Sequence, residues 1–586
     1  MFGAGLTASI METPIIESLT RALRDPDLVQ SFSGVRTNFG PGPDISEANA
    51  SMAAAYGYCY STLVLRGQSR ASLVIGRDPR PTGDAVAAAL ARGFLAGAKS
   101  VRRQLKIVSL GIITTPLLQT AVRELKVAGG VMVTASHNPL VDNGFKFLTG
   151  CHGLAVGKSD EAPPGALLSA GRMAQLVGKV RSLAEKEDGK FASDVSAVDE
   201  NAVQLNESEH DRVKAERAYL DSLGREWGVE PHCLKPLTLG PALLDPNGGA
   251  ACGINARVLE HFGVRALETN SSLGSPQHPI DTDGIDPRTG KHVLLRVAQA
   301  AHHAHARFGV AFDYDADRGN LVLPGLDESA IIPPQSVAAL SVALALAHRK
   351  MTGKSRRRTA VVMADSTSGA SQAIAELFGA RVFFVETGEI NVVMRMRELR
   401  DEGFDVPVGV EGANGGAIFR GSTCRDGLQT ALCVALADNT LPLPNHETAL
   451  SAETGFGSLR LQDILSAIPR NYNQLFRMEG PKRPHGEIKA RMEGYFTRSV
   501  WPEISPNYSS YEFANYEGTR CVERRAGDES GGWRVNLPAG DERDFIFARG
   551  SRTEAGVWRM IVDSPDEKRA AALARAAQAM FREAAG

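Results

Sequence analysis

The sequence has little of what marks several large classes of protein, and cysteine is the first shortage. Its 586 residues include seven cysteines, which lie far apart and form no Cys-x-x-Cys pair. They are Cys59, Cys151, Cys233, Cys252, Cys424, Cys433 and Cys521. An odd, scattered set argues against a disulfide framework and against a cysteine-rich zinc site. We therefore expect reduced thiols in a cytosol-like compartment.

An excess of charge of one sign is also missing. The 65 Lys and Arg residues balance 67 Asp and Glu residues, which leaves a net charge of −2. This argues against an extended nucleic-acid-binding surface, although it is compatible with a local basic pocket. No stretch is apolar over the ~20 residues that a membrane span needs, and the first residues lack the basic start of a secretory signal. We expect a soluble cytoplasmic protein without nucleic-acid or membrane partners.

The pattern of apolar runs predicts the fold class. At ~150 residues per domain, the chain has room for about four domains. Three blocks, at 71–137, 237–317 and 359–412, alternate short apolar runs with helical segments, which predicts three tandem mixed α/β domains with parallel strands. After Pro481 this alternation stops, and strands followed by a terminal helix predict a smaller α+β domain. The predicted domains are 1–212, 213–326, 327–474 and 475–586.

The clearest local motif is the run Thr134-Ala135-Ser136-His137-Asn138-Pro139, at the end of a predicted strand. In open α/β sheets, ligands bind in the crevice at the carboxyl ends of the strands, so Ser136 is predicted to face a ligand. His137 and the nearby Lys146 can supply positive charge to a bound phosphate. The alternative interpretation is a plain turn with an N-cap serine, which a Ser-His pair taken alone would favour.

A second motif, Asp313-Tyr314-Asp315-Ala316-Asp317-Arg318, follows the apolar run 308–312. In an extended segment residues i, i+2 and i+4 face the same side, so the three aspartates are predicted to converge. Converging carboxylates repel one another unless a cation neutralises them, and an all-oxygen ligand set suits Mg²⁺. A solvated acidic loop is the alternative, which the preceding apolar run disfavours.

Two further loops are weaker signals. Arg549, Ser551 and Thr553, followed by Arg559, could form a phosphate clamp of guanidinium and hydroxyl groups. The loop 410–416 (VEGANGG) places Glu411 and Asn414 where a carboxylate and an amide could grip vicinal sugar hydroxyls. A plain turn explains the second loop equally well when it is taken alone.

Taken together and in order, these motifs resemble those of the α-D-phosphohexomutase superfamily, which includes phosphoglucomutases, phosphomannomutases and amino-sugar phosphate mutases. The segments 33–40 (SGVRTNFG) and 76–83 (GRDPRPTG) resemble two further motifs of that family, so the resemblance spans nearly the whole chain. It implies four domains around a central cleft, three of them sharing one α/β topology. The sequence departs from the family pattern at Tyr314, where the metal loop usually has glycine.

The resemblance also implies roles for individual residues. Ser136 resembles the serine that carries the transferable phosphoryl group, and together with Asp313, Asp315 and Asp317 it resembles the Mg²⁺-binding set. The other implied catalytic residues are Arg36, His137, Lys146 and Arg318. The implied substrate-binding residues are Glu411, Asn414, Arg549, Ser551, Thr553 and Arg559.

The function implied is an intramolecular phosphotransferase, an isomerase that interconverts hexose 6-phosphate and hexose 1-phosphate through a phosphoserine and a bisphosphate intermediate. Glucose and mannose phosphates are the first expected substrates, and glucosamine or N-acetylglucosamine phosphate is the alternative. A relative that binds sugar phosphates without turnover is the alternative of another class. The expected cofactors are Mg²⁺ and a hexose bisphosphate activator, and the chain is expected to be a monomer or a dimer.

Overall fold

The structure is a computed structural model, and it divides by its internal contacts into two compact units. Unit 1 is Met1–Ile331 with Gly421–Leu428, and unit 2 is Ile332–Arg420 with Gln429–Gly586. The residues that the structure describes are 4–152, 161–199, 203, 205, 207–232, 241–282, 284–352, 358–439, 461–481, 483–522, 531–551 and 556–586. The four domain boundaries expected from the sequence stay a prediction.

Unit 1 begins with a six-stranded sheet. Its strands are β1 (Val29–Ser31), β2 (Gly34–Asn38), β3 (Arg70–Arg77), β4 (Gln104–Ile112), β5 (Gly129–Val133) and β6 (Asp142–Thr149). The helices of this part are α1 (Ala4–Leu23), α2 (Glu47–Val64), α3 (Gly83–Ser100), α4 (Thr115–Glu124), α5 (Ala170–Glu185), α6 (Gly189–Ser196) and α7 (Glu209–Trp227). Aromatic side chains such as Tyr60 and Phe147, with ring centroids 4.6 Å apart, fill the core between the sheet and the helices.

The second sheet of unit 1 is smaller. It consists of β7 (Ala242–Asp245), β8 (Ala266–Glu268), β11 (Phe308–Phe312) and β12 (Gly319–Val322), with a separate two-stranded ribbon of β9 (Ile285–Asp286) and β10 (Lys291–His292). The helices here are α8 (Ile254–His261) and α9 (Val293–His303). β7 and β11 are buried along their whole length, as expected for strands covered on both faces.

Unit 2 also holds two sheets. The first consists of β13 (Ala360–Ala364), β14 (Arg381–Val385), β15 (Val408–Glu411) and β16 (Gly416–Phe419), and the second of β17 (Tyr472–Glu479), β18 (Glu512–Glu517), β19 (Arg520–Cys521), β20 (Gly532–Ala539), β21 (Glu542–Gly550) and β22 (Val557–Ser564). The helices are α10 (Pro334–Met351), α11 (Gly369–Leu377), α12 (Glu389–Asp401), α13 (Gly427–Asn439), α14 (Leu461–Ala467), α15 (His485–Tyr495), α16 (Trp501–Ile504) and α17 (Glu567–Ala585). In the C-terminal part, Trp533, Trp558 and Phe581 pack between the last sheet and its helices.

Three of these sheets share one strand order. In the first sheet β4, β3 and β5 are parallel neighbours and β6 is antiparallel to β5. The order β8-β7-β11-β12 and the order β14-β13-β15-β16 repeat this arrangement strand for strand. The predicted fold class, tandem mixed α/β domains followed by an α+β part, is therefore confirmed. In each repeat a short loop joins the third, parallel strand to the fourth, antiparallel one.

One connecting segment forms more structure than its composition indicates. The stretch 182–211 is as polar as a surface loop, but α6 forms within it and buries Phe191 and Val195. Asp188 caps this helix by accepting a hydrogen bond from the Phe191 amide at 3.0 Å, so a few apolar anchors suffice when a cap fixes the first turn. Among the described helices, none has the length and apolarity needed to cross a bilayer.

Candidate functional site

Ser136 lies in the loop between β5 and β6 of the first repeat. Its φ is 53°, a left-handed backbone conformation that strains a residue with a β-carbon. The loop fixes this conformation, because the Ser136 amide donates to Thr134 Oγ1 at 2.8 Å and Thr134 Oγ1 donates to Asp78 Oδ2 at 2.6 Å. No helix follows the serine, since the next element is β6, so the N-cap interpretation is wrong. The serine is presented by a strained turn.

A buried arginine ties this loop together. Arg80 is 2% exposed, and its Nε donates to Asp78 Oδ2 at 3.1 Å. Its two terminal nitrogens donate to the backbone carbonyls of Ser136, Asn138, Pro139 and Asp142. Buried charges are stabilising only when they are paired and hydrogen-bonded in this way. The sequence showed the motif around Arg80 but not this role.

The three aspartates of the second motif converge as predicted, but for a different reason. β11 ends at Phe312, and the residues 313–317 form a turn in which Ala316 has φ 60°. The expected extended alternation is therefore wrong. One oxygen of each of Asp313, Asp315 and Asp317 lies within 4.8 Å of the other two, and all three residues are buried.

The serine loop and the aspartate turn meet directly. Ser136 Oγ donates to Asp313 Oδ2 at 2.8 Å, and Thr115 at the start of α4 donates through Oγ1 to Asp315 Oδ2 at 2.7 Å. The Oδ1 atoms of Asp315 and Asp317 are buried without a hydrogen-bond partner among the described residues. Buried carboxylate oxygens that lack partners fit a bound cation, and oxygen ligands suit Mg²⁺.

The pKa values of the aspartates in this turn also favour a bound cation. Burial, reinforced by the neighbouring Asp317 and Asp315, raises the pKa of Asp313 well above its usual value. Burial alone would also raise the pKa of Asp317, but Arg425, Lys146 and Arg318 together hold it well below its usual range. A hard cation among these oxygens would relieve the repulsion that raises the pKa of Asp313.

Basic side chains surround the aspartates. Lys146 Nζ lies 2.7 Å from Asp315 Oδ2 and 3.1 Å from Asp317 Oδ2. Arg36 lies on β2, and burial lowers its pKa, an effect that Asp315 and Asp317 oppose. The structure thus brings the predicted Arg36, Lys146 and aspartates into one electrostatic cluster.

His137 differs from the expectation that it supplies positive charge. Its Nδ1 lies 3.0 Å from Arg318 Nη2. The Arg318 guanidinium, together with burial and Arg36, lowers the pKa of His137 well below its usual value. The ring is therefore neutral near pH 7 and accepts a hydrogen bond from Arg318, because a second cation at this distance would be repelled.

Sequence reasoning missed Arg425. Its Nη2 lies 2.8 Å from Asp317 Oδ2, and its side chain is largely buried. The segment Gly421–Leu428 carries it into unit 1, where Tyr219 of α7 donates to Asp426 Oδ2 at 2.8 Å. The Gly427 Cα lies against the Arg318 backbone so closely that a β-carbon would come within 2.5 Å of the Arg318 carbonyl carbon. The only sequence signal was an Arg-Asp-Gly run after β16.

Tyr314 occupies the position where the resemblance implies glycine. Its φ is not positive, whereas that of Ala316 is, so the tyrosine fits there without backbone strain. The ring is buried, and the Arg80 guanidinium lies 5.5 Å from its centroid, within the range of a cation–π contact. Tyr314 thus joins the aspartate turn to the arginine that holds the serine loop.

In unit 2, the loop of the third repeat carries Glu411 and Asn414. Glu411 ends β15 and is 4% exposed. Asn414 Oδ1 accepts a hydrogen bond from the Gly416 amide at 3.0 Å, so this oxygen shapes the turn. The Gly412 amide donates to Thr367 Oγ1 at 3.1 Å, which fastens the loop to the end of β13. Their predicted sugar-binding role stays a prediction.

The predicted clamp residues lie on the last sheet of unit 2. Arg549 on β21 is directly opposite Arg559 on β22 in the strand register. Arg549 Nη2 lies 3.5 Å from Glu386 Oε1, and the Ser551 amide donates to the Val557 carbonyl at 2.7 Å. Thr553 lies outside the described residues.

Asp365, at the end of β13, is a further buried carboxylate that the sequence analysis did not single out. Its Oδ1 accepts from the Thr387 amide at 3.0 Å and from Thr387 Oγ1 at 2.6 Å, while its Oδ2 has no partner among the described residues. Burial raises its pKa to about 6, against the opposing effects of Thr387 and Arg549. A β-carbon on Gly532 would lie 1.8 Å from this Oδ2, so only glycine fits there.

Family models match two parts of the chain. The model for α/β/α domain I of phosphoglucomutase/phosphomannomutase matches residues 29–162, which hold Ser136 and Lys146. The model for α/β/α domain III of the same family matches residues 338–445, which hold Glu411 and Asn414. Both matches coincide with α/β repeats of the structure.

Individual proteins show the same relationship. A phosphoglucosamine mutase of Parafrankia sp. (strain EAN1pec) is 30% identical over 389 residues, which are 65% of this chain and 70% of that relative. A phosphoglucosamine mutase of Synechococcus sp. (strain CC9605) is 31% identical over 256 residues, which are 43% of this chain but only 45% of the relative.

The fold has close counterparts among solved structures. A phosphoglucomutase/phosphomannomutase family protein of Burkholderia thailandensis superposes with a TM-score of 0.61 at 17% identity, covering 95% of this chain and 96% of the other. At that identity the likeness shows the multidomain architecture alone. The Parafrankia relative and the two family models establish that the chain belongs to the α-D-phosphohexomutase superfamily and is an enzyme of the phosphohexomutase type.

Proposed function

We propose that the chain interconverts the 6-phosphate and the 1-phosphate of a hexose, with Ser136 as the carrier of the transferred phosphoryl group. The proposal depends on the hydrogen bond between Ser136 Oγ and Asp313 Oδ2 at 2.8 Å. This bond joins a serine in a strained turn to the cluster of three aspartates. A serine held next to such a set and ringed by cations is suited to phosphoryl transfer, which depends on positioning and charge stabilisation.

The reaction has two transfers. In the first, phospho-Ser136 gives its phosphoryl group to the free hydroxyl of the hexose monophosphate, and a bisphosphate forms. In the second, the other phosphoryl group of the bisphosphate returns to the Ser136 oxygen, and the isomeric monophosphate is released. A hexose bisphosphate is therefore the expected activator, because it phosphorylates any enzyme molecule that has lost its phosphate.

The basic residues supply the charge that each transfer needs. Lys146 and Arg318 are held next to the aspartates by hydrogen bonds and ion pairs, so little reorganisation is required as charge develops. Arg36 and Arg425 extend this positive surface. Neutral His137 orients Arg318 by accepting its hydrogen bond.

Mg²⁺ fits the carboxylate set of Asp313, Asp315 and Asp317, because the buried Oδ1 atoms of Asp315 and Asp317 have no partner among the described residues. When bound, Mg²⁺ neutralises charge on the phosphoryl oxygens. Glu411 and Asn414 are proposed to contact the sugar, and Arg549, Ser551, Thr553 and Arg559 to bind the phosphate that is not being transferred.

For the sugar, we propose glucosamine phosphate. The relatives from Parafrankia and Synechococcus are both phosphoglucosamine mutases, at 30% and 31% identity. Glucose and mannose phosphates, the first expectation from the motifs, are the competing substrates.

A coupled assay separates these possibilities. It compares glucosamine, N-acetylglucosamine, glucose and mannose 1-phosphates at equal concentration, with Mg²⁺ and the matching bisphosphate present. The proposal expects kcat/KM to be highest for glucosamine 1-phosphate. A higher kcat/KM for glucose or mannose 1-phosphate would overturn the sugar assignment alone. No turnover of any of the four would overturn the proposed function.

A further inference from the structure

Two carboxylates end neighbouring parallel strands of the third repeat. β13 and β14 pair in register up to Ala364 and Val385, and the next residues along the chain are Asp365 and Glu386. Asp365 is fully buried and Glu386 is 3% exposed. Burial raises the pKa of Asp365, and the nearby Glu386 adds to this rise. Two such carboxylates repel each other unless a cation lies near both of them.

The last sheet meets this strand edge. Gly518, in the turn between β18 and β19, exchanges two hydrogen bonds with Glu386. Its amide donates to Glu386 Oε2 at 2.8 Å, and its carbonyl accepts from the Glu386 amide at 2.9 Å. Arg534 on β20 donates through Nη1 to the Asp365 carbonyl at 2.9 Å. The end of each strand is therefore fixed to the last sheet.

Arg549 brings a positive charge to the two carboxylates. Phe547 and Arg549 lie on the same face of β21, because side chains two residues apart on a strand share a face. A β-carbon on Gly532 would lie 2.6 Å from the Phe547 ring and 1.8 Å from Asp365 Oδ2, so this face packs on the end of β13. Arg549 Nη2 lies 3.5 Å from Glu386 Oε1, and the Arg549 charge opposes the rise in the pKa of Asp365.

The contact with Glu386 occupies only one end of the Arg549 guanidinium. The Arg549 side chain is 20% exposed, whereas that of Glu386 is 4% exposed. Glu386 cannot follow a moving arginine, because its other carboxylate oxygen is bonded to the Gly518 amide. A fixed carboxylate behind an arginine restricts the orientation of the guanidinium plane. Less side-chain entropy is then lost when the remaining N–H groups bind a phosphate.

We infer that Glu386 is a positioning residue, whose buried carboxylate holds the Arg549 guanidinium in the orientation that binds the non-transferred phosphate. This inference rests on the proposed function, which assigns Arg549 to that phosphate. It gives the end of β14 a role in substrate affinity, although none of the sequence motifs contains this strand end.

A double-mutant cycle tests whether Glu386 acts through Arg549. Glu386→Gln removes the charge but keeps an oxygen that can accept from the Gly518 amide. It should raise KM for the sugar phosphate roughly fivefold, with kcat within about twofold of wild type. Arg549→Ala should raise KM by roughly tenfold or more, because a charge-assisted contact is lost. The double variant should have the KM of Arg549→Ala, since no guanidinium is left to position.

Two further variants sharpen the cycle. Glu386→Asp keeps the charge but withdraws the carboxylate by one methylene, so it should raise KM less than Glu386→Gln, and again only when Arg549 is present. Glu398→Gln is the matched control. Glu398 on α12 accepts from Thr519 Oγ1 at 3.1 Å, so it joins the third repeat to the same β18–β19 turn, but its carboxylate pairs with Arg395. Its KM should match that of wild type.

Three kinetic outcomes overturn the inference. The first is an unchanged KM in Glu386→Gln while Arg549→Ala raises it. The second is an equal proportional rise when Glu386→Gln is added to Arg549→Ala, which would show that Glu386 acts through the Gly518 contact alone. The third is an unchanged KM in Arg549→Ala, which would remove Arg549 from the phosphate site while the proposed reaction stands.

The proposed function can fail separately, if the wild type turns over none of the four hexose phosphates. Calorimetric titration of glucosamine 6-phosphate into wild type, the two single variants and the double variant then applies the same cycle to affinity, because binding does not require turnover. A weaker affinity in Glu386→Gln that disappears in the Arg549→Ala background supports the inference. Additive losses, equal affinities or no binding to wild type would overturn it.

Discussion

The first and third α/β repeats have the same strand order but hold their functional loops by different means. In the first repeat, the loop with Ser136 is tied by charged groups, since the buried Arg80 is paired with Asp78 and donates to four loop carbonyls. In the third repeat, the loop with Glu411 and Asn414 is tied by neutral groups. Its Gly412 amide donates to Thr367 Oγ1 at 3.1 Å.

The strand-end aspartates show the difference most clearly. Asp78 follows β3 and Asp365 follows β13, and burial raises the pKa of each to about 6. Asp78 Oδ2 accepts from both Arg80 and Thr134, whereas Asp365 Oδ2 has no partner among the described residues. Under the proposed function, the first loop must keep a charged phosphoserine in a strained backbone, which needs a rigid, charged support. The loop with Glu411 and Asn414 would contact sugar hydroxyls, which does not need one.

The largest effect is expected at the serine itself. Ser136→Ala removes the acceptor of the phosphoryl group and should lower kcat by at least about 1000-fold. The matched variant in the third repeat, Asn414→Ala, should mainly raise KM, by roughly three- to tenfold, because it removes a binding contact and not the carrier. Steady-state kinetics with the preferred hexose phosphate measure both. A Ser136→Ala variant with near wild-type kcat would contradict the comparison.

The next effect concerns Asp78. Asp78→Asn puts an amide nitrogen, which cannot accept a hydrogen bond, where Asp78 Oδ2 accepts from Arg80 and Thr134. The buried Arg80 then loses its hydrogen-bonded partner, so the free energy of unfolding should fall by about 3 kcal/mol. Urea denaturation followed by circular dichroism measures this change. The conservative control is Thr134→Ser, which keeps the hydroxyl that donates to Asp78. A loss below about 1 kcal/mol in Asp78→Asn would show that the charged support of the first repeat is dispensable.

Asp365→Asn should behave in the opposite way. Because the pKa of Asp365 in the folded protein, about 6, lies above the ordinary 3.8, protonation favours the folded state. This stabilising contribution is fully present below about pH 4 and is lost as the pH rises through 6. The neutral asparagine should therefore stabilise the protein at pH 7.5, by an amount on the order of 1–2 kcal/mol, and change little at pH 4. Thermal unfolding at the two pH values measures it. Destabilisation at pH 7.5 equal to that of Asp78→Asn would erase the contrast between the repeats.

The smallest effect is expected at Tyr314. Tyr314→Leu removes the ring that contacts Arg80 and should weaken Mg²⁺ binding by roughly fivefold, about 1 kcal/mol, because the aspartate turn loses a support. Tyr314→Phe keeps the ring and should match wild type. Phe191→Leu, a buried aromatic on α6, is the control for general loss of packing. Calorimetric Mg²⁺ titration measures all three, and equal losses in Tyr314→Leu and Phe191→Leu would remove any special role of Tyr314.

Much of the architecture could be predicted because buried parallel strands leave short apolar runs at regular intervals. The serine and aspartate motifs could be predicted because each is local in the chain. The conformation of the aspartate turn could not, since the positive φ falls on Ala316, which gives no glycine signal. Arg425 was missed for another reason. It reaches Asp317 through a tertiary contact and does not lie within a recognisable local pattern. The neutral state of His137 likewise depends on Arg318, which is far away in the chain.

Phosphopeptide mass spectrometry of the protein, before and after incubation with hexose bisphosphate and then with excess hexose monophosphate, tests the proposed role of Ser136 without depending on the identity of the sugar. After incubation with the bisphosphate, phosphate should appear on the peptide that contains Ser136 and approach one per chain. It should decrease when excess hexose monophosphate is added. The Ser136→Ala protein should gain none. Phosphate on another residue, or turnover by a chain whose Ser136 is never phosphorylated, would contradict the assignment of Ser136 as the phosphoryl carrier.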